Sequence, residues 1–520
     1  NGIPRSIILI NWLTTFLLIM GLRLTARWFI YNKIGNQGGL KNKKKNILIY
    51  GAGKEGLELG NALNYNQNVN VSAFIDYNEK FIGQKIGAHL VHSVSQLPIL
   101  IEEFDIKEVL LAIPSIGRGK RNEIISQLEH YPVQVRTMPS MDELAEGRAK
   151  IEDIREVFIE DLIGRDPVPP IQTLLKLNVT DKSVMITGAG GSIGSEICRQ
   201  LIKIKPKCMV LIEHNEYSLY TIQMELENIN NVKLIPILGS ITNKSFVENA
   251  LIKYEVQTVY HAAAYKHVSL VESNIIEAAR NNILGTNLLA QASISTKVET
   301  MVLISSDKAV RPTSIMGVTK RFSELILQGL SKKSGCRFIM VRFGNVMGSS
   351  GSVIPLFMKQ IANGGPVTVT DKKIIRYFML INEAAQLVIQ AGAMGKGGDV
   401  FILDMGSPVH IYELAKKMIR LSGLEIKDKD NVNGDIEIKV IGIKPGEKLY
   451  EELLIGNNVT PTNHSKIMRA KEKMLPHEEL KIILQELEIA IENIELKKVK
   501  ELLYKAVPEF YINCPKEIQS

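Results

Sequence analysis

Val184-Met185-Ile186-Thr187 runs straight into Gly188-Ala189-Gly190-Gly191-Ser192-Ile193-Gly194 and then into a helical pattern from Ser195 to Ile204. Few folds accept an apolar strand, glycines at 188, 191 and 194, and a helix in that order. The spacing permits a tight turn, close approach of backbone N–H groups to a pyrophosphate, and a phosphate seated at a helix N-terminus. Plain helix–strand packing is the rival reading. The next strand, Val210-Leu211-Ile212, ends in Glu213, nineteen residues beyond Gly194. A carboxylate there accepts from ribose hydroxyls and repels a 2′-phosphate, which favours NAD over NADP. Gly188, Gly191, Ser192, Ile193, Gly194 and Glu213 are therefore the first candidate cofactor-binding residues.

A similar pattern stands earlier. Asn46 to Tyr50 is an apolar strand leading into Gly51-Ala52-Gly53-Lys54-Glu55-Gly56, and a strand from Val69 to Ile75 ends in Asp76. Val109 to Ile113 and Val133 to Met138 add further strands, so a small doubly wound α/β unit ends near residue 145. It either binds a nucleotide or serves as a spacer or assembly module. With 520 residues the chain holds two or three domains. The expected fold class is α/β, two Rossmann-like doubly wound parallel-sheet domains preceded by a transmembrane helix. The divisions are 1–31 (helix and flank), 32–45 (basic linker), 46–145 (small domain), 146–180 (linker), 181–475 (catalytic domain) and 476–520 (helical region). In the last, Leu480, Ile483, Leu484, Leu487 and Ile491 trace one apolar helix face, which packs on its own domain or on a partner.

Apolar content of 45% and charged content of 23% exclude wholesale disorder. A net charge of +8 is modest for this length, so a nucleic-acid partner is not expected. One basic cluster differs. Arg23, Arg27, Lys33, Lys41 and Lys43 to Lys45 follow an uncharged run from Ser6 to Leu22, with Trp28 and Tyr31 among them. That patterning predicts a membrane span with the following domains on the cytoplasmic side. A signal peptide is the alternative, but no convincing small-residue cleavage site follows. Cys198, Cys208, Cys336 and Cys514 show neither a CxxC pair nor metal-ligand spacing, so no metal is expected.

Chemistry concentrates downstream. After Thr258-Val259, the small residues Ala262 and Ala263 let a dinucleotide lie close to the sheet, and Tyr265-Lys266-His267 follow at the same rim. Met301-Val302-Leu303-Ile304 is a buried strand ending in Ser305-Ser306-Asp307-Lys308, and ligands of open α/β sheets lie at such strand ends. An acid beside an amine of lowered pKa can protonate a leaving oxygen and take a carbon-bound proton. A plain ion pair is the rival. Lys320 stands twelve residues on, opening a helix.

These segments resemble the extended short-chain dehydrogenase/reductase superfamily. Within it, Ser305 to Thr313, Val341-Arg342-Phe343-Gly344-Asn345-Val346, Arg376-Tyr377-Phe378-Met379, Leu403-Asp404-Met405-Gly406 and Lys444-Pro445-Gly446-Glu447-Lys448 resemble the membrane-bound UDP-N-acetylglucosamine 4,6-dehydratases, across nearly the whole chain. The resemblance implies NAD-dependent conversion of a UDP-N-acetylhexosamine to its 4-keto-6-deoxy form. Hydride leaves carbon 4, water is lost across carbons 5 and 6, and hydride returns to carbon 6. It makes Asp307 the acid for the departing hydroxyl, Lys308 the base at carbon 5, Ser306 a hydrogen-bond partner of the carbon 4 oxygen and Lys320 the holder of the nicotinamide ribose. Asn345 would meet the diphosphate, and Thr313, Arg376 and Glu447 the nucleotide or sugar. It also implies a homo-oligomer.

Two residues depart from the superfamily pattern. Met316 stands where a tyrosine is usual, four residues before Lys320, and methionine transfers no proton. The base for the carbon 4 hydroxyl is thus open, with Asp307 or a Lys320-bound water as candidates. Ser240 stands where an aspartate commonly touches adenine. The rival functions are a nucleotide-sugar epimerase of the same fold and an inactive, membrane-tethered nucleotide-sensing scaffold.

Overall fold

The computed structural model describes residues 12–26, 44–64, 68–113, 116–138, 155–156, 168–227, 229, 232–332, 334–349, 351–452, 459–472 and 474–513. By its internal contacts the chain divides into two compact units, residues 1–114 with 138–154 and residues 115–137 with 155–520.

In the first unit, Lys45–Tyr50 pairs in parallel with Val69–Asp76 on one side and Glu108–Leu111 on the other, and His89–Ser93 extends the sheet beyond Val69–Asp76. Ile47, Ile49, Val71, Phe74 and Leu110 form its core under the helix Lys54–Asn64. Asp76 Oδ2 accepts from Ala52 N at 2.6 Å, so the carboxylate at the strand end braces its own glycine loop.

The same unit carries a helix over residues 12–26. Among the described residues no helix is long and apolar enough to cross a membrane. The fold therefore does not support the transmembrane helix expected over Ser6 to Leu22. Residues 6–11 of that run, and most of the basic residues after it, lie outside the described residues.

The second unit is built on a nine-stranded sheet in the order Lys233–Leu238, Cys208–Glu213, Ser183–Thr187, Thr258–His261, Thr300–Ile304, Arg337–Arg342, Asp399–Leu403, Ile467–Ala470, Val459–Pro461. The first seven strands are parallel and the last two antiparallel. The sequences SVMIT, CMVLIE and TMVLI are apolar without alternation, as strands covered on both faces must be, and every residue in them is buried. Connections reverse direction between Ser183–Thr187 and Thr258–His261, which opens a crevice at the carboxyl ends of the strands.

Two further packings shape that crevice. The helix Ile315–Ser331, capped by Ser314 Oγ accepting from Gly317 N, is buried over all but its last two residues. The C-terminal helices His477–Glu492 and Leu496–Ala506 cover its outer side through Leu480, Ile483, Leu487, Leu502 and Leu503. The apolar face near the C-terminus thus packs on its own domain. A separate core of Phe357, Val367, Ile374, Phe378 and Leu414 builds a smaller lobe from the helices Val353–Ala362 and Ile411–Leu421 and the paired strands Val367–Val369 and Ile436–Val440. Cys198, Cys208 and Cys336 are buried free thiols, and Cys514 lies outside the described residues.

Candidate active site

The glycine loop is sterically determined. Gly188 has φ +68°, and a methyl group there would stand 2.7 Å from Ala263 N. A methyl group on Gly194 would stand 1.9 Å from Gly188 O, and one on Gly190 would stand 2.4 Å from Ser218 Cβ. Each glycine lets a neighbouring backbone or side chain come closer than any Cβ allows. The helix Ser192–Lys203 starts at this loop, leaving its first N–H groups facing the cleft. The cradle suits the pyrophosphate of a dinucleotide, and Ala262 and Ala264 keep the adjoining wall low.

Glu213 is buried and already engaged. Its carboxylate accepts from Gly190 N at 3.1 Å, His214 N at 2.9 Å and Asn215 N at 3.1 Å. It braces the loop, and any ribose contact adds to that duty. Ser240 Oγ pairs with Thr242 Oγ1 at 2.9 Å.

The cleft beside this loop encloses about 980 Å³, bounded by Gly190 to Gly194, the strand end Ile304-Ser305-Ser306 with Lys308, and the smaller lobe through Leu356, Val369 and Ile441. Of the residues expected at the site, Gly191, Ser192, Ile193, Gly194, Ala262, Ser306, Lys308, Lys320, Asn345, Arg376 and Glu447 line it. Gly188, Ala263 and Glu213 lie behind that surface and shape it. Thr313 is turned away, its hydroxyl donating to Gly446 O at 3.3 Å, and so does not meet the cleft as expected.

Asp307 departs from expectation in another way. Its side chain is fully buried beneath Ser306 and Lys308. Ser306 Oγ donates to Asp307 Oδ1 at 2.8 Å, and Lys308 Nζ stands 3.1 Å from the same oxygen and 3.2 Å from Asn345 Oδ1. The carboxylate therefore reaches the cleft through the Ser306 hydroxyl. Burial works to raise Asp307, but Lys308 and the hydrogen bonds around it hold its pKa below the ordinary value.

The two lysines exchange the electrostatics the sequence suggested. Burial works to lower Lys308, but Asp307 and Glu451, whose Oε1 stands 2.9 Å away, outweigh it and raise its pKa, so the resting side chain is an ammonium. The amine of lowered pKa is Lys320. Burial brings it down to about 8, against a small upward pull from Glu324, and its Nζ donates to Ile304 O at 3.0 Å. Met316 lines the cleft where a proton-carrying tyrosine would otherwise stand.

Two contributors escape sequence reading. Glu324, one turn after Lys320, accepts from Ser305 Oγ at 2.7 Å and from Arg342 at 2.7 and 2.5 Å, fixing the strand end that carries Ser306. Glu451 joins Lys308 to Arg376, whose Nε is 3.3 Å from Glu451 Oε1 and whose Nη2 is 2.9 Å from Glu447 Oε1. Lys266, expected at the rim, lines the cleft, its ammonium lowered by burial and by Lys308. The i+4 spacing of Glu324 from Lys320 and the run of charges in Lys444 to Glu452 were visible signals, but neither names a partner.

The family described as "Polysaccharide biosynthesis protein" matches residues 184–472. The chain is 40% identical over 501 residues to the capsular polysaccharide biosynthesis protein CapD of Staphylococcus aureus, covering 95% of this chain and 81% of that one. It is 33% identical over 282 residues to a UDP-glucose 4-epimerase of Rickettsia rickettsii, covering 53% and 78%. The X-ray structure of Pen from Bacillus thuringiensis, 34% identical, superposes with a TM-score of 0.51 over 59% of this chain and 98% of that one. The chain belongs to the polysaccharide biosynthesis protein family, within the short-chain dehydrogenase/reductase superfamily.

Proposed function

We propose that the chain is a nucleotide-sugar 4,6-dehydratase that uses NAD and acts on a UDP-N-acetylhexosamine, with UDP-N-acetylglucosamine the first candidate, in the synthesis of a surface polysaccharide or glycan. The observation that carries this is the Ser306–Asp307–Lys308 array opposite the glycine loop, in a cleft where Met316 stands at the position of the superfamily's usual tyrosine. Bound NAD supplies the hydride acceptor for carbon 4 and the hydride that returns to carbon 6.

The protein's own groups account for the protons. Asp307, held ionised, accepts the carbon 4 hydroxyl proton through Ser306 Oγ, which fills the role of the missing tyrosine. Asp307 then carries the proton that leaves with the carbon 6 hydroxyl as water. Lys308 takes the carbon 5 proton and later returns it. Its resting ammonium must first release a proton to solvent, a step that burial favours and the charges of Asp307 and Glu451 oppose. Lys266 and Lys444 offer positive charge to a diphosphate, with Asn345 beside Lys308 as a further contact.

The name of the Rickettsia relative supports a second reading, 4-epimerisation. That reaction needs no acid for a leaving hydroxyl. A tether at the bacterial cytoplasmic membrane, leaving the catalytic unit in the cytoplasm, is supported by the helix over 12–26, where Trp12, Phe16, Leu17, Leu18 and Leu22 are each more than half exposed, and by the basic residues after it. Flotation of the full chain with lipid vesicles tests it, and failure to float contradicts it.

The activity is tested by incubating the full chain with UDP-N-acetylglucosamine and NAD and following the nucleotide sugar by mass spectrometry and NMR. Loss of one water with a 4-keto-6-deoxy product is expected. Unchanged mass with inverted carbon 4 would make it an epimerase, and no conversion of any UDP-N-acetylhexosamine would contradict both readings.

A further inference from the structure

Glu451 takes no part in the proton steps above, and its surroundings are unusual. It is only 7% exposed, and its Oε1 meets Lys308 Nζ at 2.9 Å and Arg376 Nε at 3.3 Å. Lys308 Nζ also stands 3.1 Å from Asp307 Oδ1, so the two carboxyl groups share one ammonium. Asp307 Oδ2 and Glu451 Oε2 are both buried, and neither has a donor among the described residues. Two ionised carboxylates only accept, so a hydrogen bond between these groups requires one proton.

We propose that Glu451 is a positioning residue that works in its protonated form, donating a hydrogen bond to Asp307 so that Asp307 Oδ1 stays turned to Ser306 for proton exchange with the cleft. This rests on the dehydratase reading above. The charges facing the pair are consistent with one shared proton. Lys308 bridges both carboxyl groups, Arg376 is divided between Glu451 and Glu447, and Lys448, whose Nζ donates to Val310 O at 2.8 Å, lies near enough to feel all three charges. Burial raises Glu451 most, Lys308 opposes, and the Asp307 charge and hydrogen bond raise it again, to about 7. The proton balance of the reaction is unchanged. Asp307 takes one proton from the carbon 4 hydroxyl and gives one to the departing oxygen, while the Glu451 proton stays in its hydrogen bond throughout.

Glutamine reproduces the protonated acid, with an N–H for Asp307 and an oxygen for Lys308 and Arg376, and it cannot titrate. Glu451→Met is expected to lower kcat about 100-fold with KM little changed, and Glu451→Gln to recover at least about tenfold of that loss. Wild-type kcat is expected to fall as the pH rises from about 6 to about 8, where Glu451 ionises, and the glutamine variant to lack that fall. A glutamine variant as impaired as the methionine one, or with the wild-type pH profile, would overturn the proposal. The proton is also read without turnover. Infrared spectra of the resting full chain should show a carboxylic-acid C=O band near pH 6 that fades by about pH 8 and is missing from Glu451→Gln. A band unchanged in that variant overturns the pair. The expected band in a wild-type chain that dehydrates no sugar nucleotide counts against the proposed function alone.

Discussion

The two glycine loops of this chain are built alike and lead to different surroundings. A methyl group on Gly56 would stand 1.9 Å from Gly51 O, as one on Gly194 would from Gly188 O. One on Gly51 would meet Ala112 O at 2.5 Å, as one on Gly188 would meet Ala263 N at 2.7 Å. Asp76 and Glu213, each at the end of the next strand, accept from the backbone of their own loops. Both loops thus satisfy the same packing and hydrogen-bonding demands, and these alone yield a strand–loop–helix frame. What separates them is the second neighbouring structure. Only in the second unit does the sheet continue to a strand ending in Ser305-Ser306-Asp307-Lys308, opposite a lobe that closes a cleft. The frame specifies a nucleotide-sized fold, and the chemistry comes from the residues added to it.

The largest expected effect falls on that added chemistry. Lys308→Met should reduce dehydration about 1,000-fold while leaving NAD affinity within about twofold, measured by turnover and by calorimetry. Equal loss of both would return Lys308 to a structural ion pair. Next, Gly194→Ala forces backbone apart at the site and should abolish NAD binding, whereas Gly56→Ala, with the same 1.9 Å conflict, should destabilise the first unit by about 3 kcal/mol and leave turnover within about twofold. Loss of turnover in Gly56→Ala would show that the first loop serves the reaction.

Lys320 gives an effect of about 3 kcal/mol with a sign fixed by linkage. Its folded pKa is depressed from 10.5 to about 8, so its contribution to stability is complete above the unfolded pKa and is lost as the pH falls through about 8. Wild-type melting temperature should therefore rise between about pH 8 and pH 10.5 by a term that Lys320→Met lacks, although that variant is inactive. Parallel melting profiles would refute the buried-ammonium assignment. The smallest effect compares the two braces. Glu213→Gln should weaken NAD binding about tenfold, and Asp76→Asn should leave it unchanged.

Much of the frame was legible because its rules are local. Unbroken apolar runs mark doubly covered strands, and glycine spacing marks the loops. The triplet Ser306-Asp307-Lys308, proposed here to carry the reaction, was legible as a strand end because it directly follows such a run. Its charge states were not. Lys308 is raised by the adjacent Asp307 together with Glu451, which lies 143 positions beyond it with no sign in sequence spacing of their 2.9 Å contact, and Lys320 is lowered by burial that only the fold provides. Asp307 was read as the acid for the departing hydroxyl from its place beside Lys308 and from the family resemblance, yet its side chain is fully buried. Thr313 was assigned by its place in a motif, and its hydroxyl is spent on Gly446 O.

The most direct test of the central claim follows one hydrogen. The full chain is supplied with NAD and UDP-N-acetylglucosamine carrying deuterium at carbon 4, and the product is examined by NMR. The proposed reaction moves that label to the carbon 6 methyl group as water is lost. Label retained at carbon 4 of a product of unchanged mass would contradict it and make the cleft that of an epimerase.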